Sequence, residues 1–135
     1  MTTVDITGSV PRFPKRDIAT FAHRVLRQLK VKSDDLAIAF VDDAAMRKLN
    51  RDFRRKDKTT DVLTFPGDDP SHLGDIVISL DQARRQAADE KHSLATEVQY
   101  LIVHGILHSL GYDHETDNGE MNALELEVRS KVGLT

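Results

Sequence analysis

No cysteine occurs anywhere in the 135 residues. That absence removes disulfides and thiolate metal ligands together, so any metal must be held by histidine or carboxylate, and a cytoplasmic setting is the expectation. Nor does any hydrophobic run approach membrane-spanning length, and the opening stretch MTTVDITGSVPRF has no basic region followed by an apolar one. Neither secretion nor a membrane anchor is expected. No internal repeat, low-complexity tract or Gly/Ser/Pro-rich linker interrupts the chain, which leaves one domain, residues 1–135, as its organisation. The net charge of -3 at pH 7 argues against a protein that coats nucleic acid nonspecifically, while leaving room for a local basic patch.

What is present is enough to fold. Hydrophobic residues make up 39% and charged residues 30%, and a chain of this length buries roughly two-thirds of its unfolded surface. Ile18, Phe21, Val25, Leu26 and Leu29 recur at helical spacing after Pro14, predicting a first helix over about 15–30. Leu36 to Val41 reads as a buried strand ending at Asp42 and Asp43, where a second helix starts and continues through Met46, Leu49 and Phe53. Asp61 to Phe65, stopped by Pro66 and Gly67, and Asp75 to Leu80, preceded by Gly74, read as two further strands. Asp81 is placed to cap a helix running to about Glu90, and Ser93 to cap a longer one from about Leu94 to Leu110. Asp117 with Glu120 resembles a capping box opening a last helix to about Lys131. The sum is an α+β fold: a small mixed sheet packed by about five helices. Tyr100 to Leu110 is apolar nearly all round except at His104 and His108, so its helix is the central, buried one.

Those two histidines stand four apart, on one face of a helix and about 6 Å apart along its axis. Gly111 follows directly and suits the left-handed conformation that ends a helix, so the chain can turn back and bring His114 toward the pair. Three of the six histidines fall within these eleven residues. An unpartnered imidazole on an apolar face is costly, so the joint pattern points to a metal site, zinc by its donor set, on His104, His108 and His114. Three protein ligands leave one coordination position for water, the arrangement of catalytic zinc, and hydrolysis is the expected chemistry. His23, His72 and His92 have no partners at ligand spacing and read as structural or surface residues.

The spacing also fits the metzincin protease signature H-E-x-x-H-x-x-G-x-x-H. One position breaks the match: the glutamate general base of that signature is replaced by Gly105, which accepts no proton. Met121 follows the site but shares helical spacing with Leu124 and Val128, which reads as core packing rather than a Met-turn.

Upstream, five cations occupy the eight positions from Arg51 to Lys58. Such a patch can hold phosphates, and an arginine offers a two-pronged fork to a phosphodiester. On composition alone the run reads first as a solvated helix end and loop, with no series of stacking aromatics.

Three ordered segments carry a resemblance. His104-Gly105-Ile106-Leu107-His108-Ser109-Leu110-Gly111-Tyr112-Asp113-His114 fits H-G-x-L-H-x-x-G-Y-D-H. Asn50, Arg54, Lys56, Asp57, Thr60, Asp61, Val62, Leu63 and Phe65 fit N-x-x-[YF]-R-x-K-D-x-x-T-D-V-L-[ST]-F. Leu73 to Ile78 fits L-G-D-I-x-I. The chain thereby resembles the YbeY family of bacterial single-strand-specific endoribonucleases. The resemblance implies one zinc ion per chain on the three histidines, and Arg54 beside the substrate phosphate. It also implies a role in ribosomal RNA maturation, including the 3′ end of small-subunit RNA, and in ribosome quality control. Single-stranded RNA, ribosomal RNA and ribosomal subunits are then the expected partners, with no DNA and no membrane. Asp113 is read as a carboxylate orienting a ligand imidazole or as a base. Two rival functions stay open at this point: a ribosome-assembly binding factor whose metal only orders the fold, and a metzincin-like protease.

Overall fold

The chain begins with alternation. In Thr3-Val-Asp-Ile-Thr7, the partly buried Val4 and Ile6 alternate with exposed neighbours, forming a strand β1 (Thr3–Thr7) that the sequence reading missed. A computed structural model describes residues 2–33, 35–112 and 117–134. After β1 come α1 (Lys15–Gln28), β2 (Asp35–Val41), α2 (Asp43–Arg54), β3 (Val62–Pro66), β4 (His72–Ser79), α3 (Leu80–Glu90), α4 (Leu94–Ser109) and α5 (Glu120–Lys131). The five predicted helices are all present, and the sheet gains a fourth strand.

The strands lie in the order β1-β2-β4-β3. β1, β2 and β4 run parallel, and β3 returns antiparallel along β4, so the mixed α+β sheet expected from the sequence is what forms. β2 sends Leu36, Ile38 and Phe40 to one face, where β4 adds Ile76 and Ile78. On this face lies the main core, closed by Ile18, Phe21 and Val25 of α1 and by Val98, Ile102 and Ile106 of α4. The intervening residue Val77 points the other way and meets Met46 of α2 and Leu63 of β3 in a smaller cluster. The sheet is therefore sandwiched between α2 and the α1/α4 layer.

Some starts differ from the reading. Ser79, not Asp81, caps α3, its side chain accepting from Gln82 N; the Asp81 carboxylate instead accepts from the backbone N–H of Asp43, 2.9 Å away, tying the start of α2 to that of α3. β4 begins at His72, earlier than Asp75, because Gly74 stays in the ladder opposite Pro66. His72 sits between Asp35 and Asp75 there, and the hydrogen bond to Asp35, then that to Asp75, raises its pKa above the usual histidine value. Two caps stand as read: Asp42 accepts from Ala45 N and Ser93 from Thr96 N. The capping box read at Asp117 and Glu120 does not form: α5 starts after Gly119 at φ +99°, Asp117 accepts from Gly119 N and Met121 N at 2.9 Å from two residues before the cap, and Glu120 accepts from Asn118 N. Met121 is fully buried in the core, as packing required.

Candidate active site

α4 is apolar on almost every side because it is covered on almost every side: by β3 and β4 beneath, and by α1, α3 and α5 around it. Its C-terminal half delivers His104 and His108 to one exposed edge. Their Nε2 atoms are 3.0 Å apart, with the rings crossing at 71°. The helix stops as predicted: Gly111 has φ +98°, its N–H donates to His108 O, and Tyr112 N donates to Leu107 O. This is the paired 5→2 and 6→1 pattern of a glycine-terminated helix. His114 and Asp113 lie outside the described residues. Among the described residues no three histidine or carboxylate groups converge on one point; two of the three predicted ligands do.

A feature the sequence reading missed lies on α5. Glu125, only 6% exposed, has Oε1 2.9 Å from His104 Nδ1 and Oε2 accepting from Arg129 Nη2 at 3.1 Å. The Arg129 guanidinium in turn covers the ring of Tyr100 at 4.3 Å. A carboxylate only accepts, so the His104 proton resides on Nδ1 and the Nε2 lone pair is turned toward His108. Two nitrogens each about 2.0–2.1 Å from one tetrahedral ion stand about 3.3 Å apart, close to the spacing seen here. The donor set therefore fits a metal ion, with Glu125 as the carboxylate behind the ligand. Glu97, the other buried glutamate among the described residues, meets His92 Nε2 at 2.7 Å and accepts from Gln86 at 2.9 Å. His92 thereby has a structural partner.

The histidine pair opens on a cleft of about 510 Å³ whose opposite wall is β3, and Arg54, Asp61, Thr64 and Tyr112 also line it. β3 is the sheet's edge strand, so the cleft runs along the side of it that pairs with no other strand among the described residues. Arg54 reaches the cleft because α2 ends there, with Arg55 in the left-handed region at φ 58° turning the chain away. Buried Asn50 secures that turn, donating from Nδ2 to Lys58 O at 2.9 Å. Asp61 is the one carboxylate among the described residues lining the cleft. Its Oδ1 accepts from Val62 N at 2.7 Å and its Oδ2 from Gln86 at 3.4 Å. Arg54, assigned from resemblance alone, is thus placed in the same cleft as His104 and His108.

Gly105 acquires a reason. A Cβ at this position would stand 2.8–3.1 Å from the side chain of Ile76. The residue after the first histidine faces the sheet at close approach, and any side chain there would have to displace Ile76.

A mixed sheet beneath a buried helix that carries two imidazoles to a cleft shared with an arginine defines the class: an α+β domain with a polar site at the sheet edge. A solution structure of a protein from Thermotoga maritima shows the same fold, with a TM-score of 0.69 and 24% identity over 96% of this chain and 89% of that one. The family model described as Endoribonuclease YbeY matches residues 6–133, and the chain belongs to that family. Proteins named Endoribonuclease YbeY from Solibacter usitatus, Myxococcus xanthus and Aquifex aeolicus are 53%, 41% and 45% identical over 68%, 98% and 87% of this chain. The matches span 62%, 48% and 83% of those proteins, so this chain covers only about half to two-thirds of the first two.

Proposed function

We propose that the chain is a zinc-dependent endoribonuclease for single-stranded RNA, with the metal on His104, His108 and His114. The observation that carries this reading is the convergence of the His104 and His108 Nε2 atoms in the cleft that also holds Arg54. The name of the family supports RNA as substrate. A zinc ion bound there would supply Lewis acidity, acidifying water and polarising a phosphoryl oxygen. This chain's own residues do the rest. Glu125 fixes the His104 tautomer and ring, the Arg54 guanidinium meets the charge that develops on the phosphate, and Asp61 presents a carboxylate to the same cleft. Ribosomal RNA maturation and quality control, with ribosomal RNA and subunits as partners, complete the reading on the strength of the motif resemblance. Gly105 weighs against peptide hydrolysis, since it supplies no base and is packed closely on Ile76.

The test is end-group analysis of a single-stranded RNA cut by zinc-loaded and by chelator-stripped protein. Cleavage is expected only with zinc, and restored by adding it back; a 5′-phosphate on the product marks attack by water. Equal cleavage by stripped protein would overturn the metal dependence. RNA binding without cleavage by the zinc-loaded chain would turn the reading toward an assembly factor.

A further inference from the structure

Phe53 is the outlier among the five phenylalanines. Phe13, Phe21 and Phe40 are buried and Phe65 is half-buried, whereas Phe53 is 66% exposed. The ring is nonetheless held: it meets Phe65 at 5.2 Å between centroids and 72° between planes. A T-shaped contact of this kind uses an edge of one ring and one face of the other. Whichever part Phe53 plays, at least one of its faces is left open.

The location gives that face a purpose. The next residue, Arg54, lines the cleft with His104 and His108, as do Thr64 and Pro66 on either side of Phe65. Phe53 thus stands beside the cleft, next in the chain to the arginine that lines it and against the strand that walls it. Its surroundings are cationic. Arg54, Arg55, Lys56 and Lys58 are exposed and make no ion pair among the described residues, while Arg51 is paired with Asp52 and Arg47 with Asp57. A flat apolar ring set among unpaired cations is complementary to a chain that alternates anionic phosphates with flat, weakly polar rings.

We propose that Phe53 is a stacking platform for an unpaired nucleobase adjoining the phosphate held at Arg54. The inference rests on the RNA reading above and adds a cause for strand selectivity: a base in a duplex already has both faces covered by its neighbours, so only an unpaired base can swing over the β3 edge onto Phe53. Arg54 holds the phosphate; Phe53 sets the position of the strand by its base.

The experiment measures binding of a short single-stranded RNA under chelation, which keeps the strand intact, and steady-state cleavage with zinc. Parent, Phe53→Ala, Phe53→Leu and Phe53→Trp are compared on strands in which a single abasic nucleotide is moved position by position. Phe53→Ala is expected to weaken binding by about five- to a hundredfold and to raise KM more than it lowers kcat. Phe53→Trp should restore binding, whereas Phe53→Leu, which keeps the apolar contact with Phe65 but has no ring, should not. In the parent one abasic position should cost a similar factor, and that penalty should vanish in Phe53→Ala. Binding by Phe53→Ala equal to the parent, full rescue by leucine, or an abasic penalty unchanged in Phe53→Ala would each overturn the proposal. So would a change in self-association with no change in RNA binding. A parent chain that neither binds nor cuts RNA would instead overturn the RNA reading on which the proposal rests.

Discussion

At the scale of single residues, the His104–Glu125 contact orients the imidazole. An imidazole can turn either nitrogen toward a ligand; the buried carboxylate behind Nδ1 removes the choice. Glu125→Gln keeps the size of the side chain while exchanging a charged acceptor for a neutral amide. Zinc affinity, measured by competition with a chelator, should fall by about ten- to a hundredfold. An unchanged affinity would show that Glu125 only neutralises Arg129. Arg54 makes a different demand under the proposed role, in which a planar fork and not charge alone meets the phosphate. Arg54→Lys should therefore lower the single-turnover rate at saturating RNA by about ten- to a thousandfold, with zinc content unchanged. A rate equal to the parent's would reduce Arg54 to one more cation of the basic stretch.

Secondary elements explain why these residues meet and why some of the pattern was hidden. α4 was legible because a long apolar run with two histidines on one face and a glycine at its end specifies a buried, terminated helix by itself. β1 was not: its five residues are half-exposed, and it exists only by pairing with β2. Phe53 shares the helical spacing of Met46 and Leu49 but not their burial, because it leans over the β3 edge onto Phe65 at the end of α2. That edge permits a direct test of the strand geometry. Asp61 O accepts from Ser79 N and Gly67 N donates to Leu73 O, so by antiparallel alternation the backbone of Leu63 and Phe65 is spent on β4. Residues Val62, Thr64 and Pro66 turn theirs toward the cleft. Pro66 already occupies the outward row. Thr64→Pro should accordingly cost less than about 1 kcal/mol, whereas Leu63→Pro, losing a ladder bond and a buried side chain, should cost about 3 kcal/mol or more. Thermal unfolding separates the two, and equal losses would contradict the register.

At the scale of the whole molecule, the fold brings together residues far apart in sequence: Arg54 from the end of α2, Asp61 and Thr64 from the sheet edge, the histidine pair from α4, and Glu125 from α5. The histidines could be read from the chain because their spacing is local. Glu125 could not, since it lies 21 residues from His104 on a helix rich in acids, and only the packing of α5 on α4 singles it out. Arg54 was visible as part of a charge run, but its place in the cleft follows from where α2 ends. The central claim is that this convergence holds one zinc ion, and elemental analysis of purified protein tests it most directly. The parent should carry about one zinc per chain, and His108→Ala, with its circular dichroism unchanged, should lose most of it. Undiminished zinc in the folded His108→Ala chain would contradict the account.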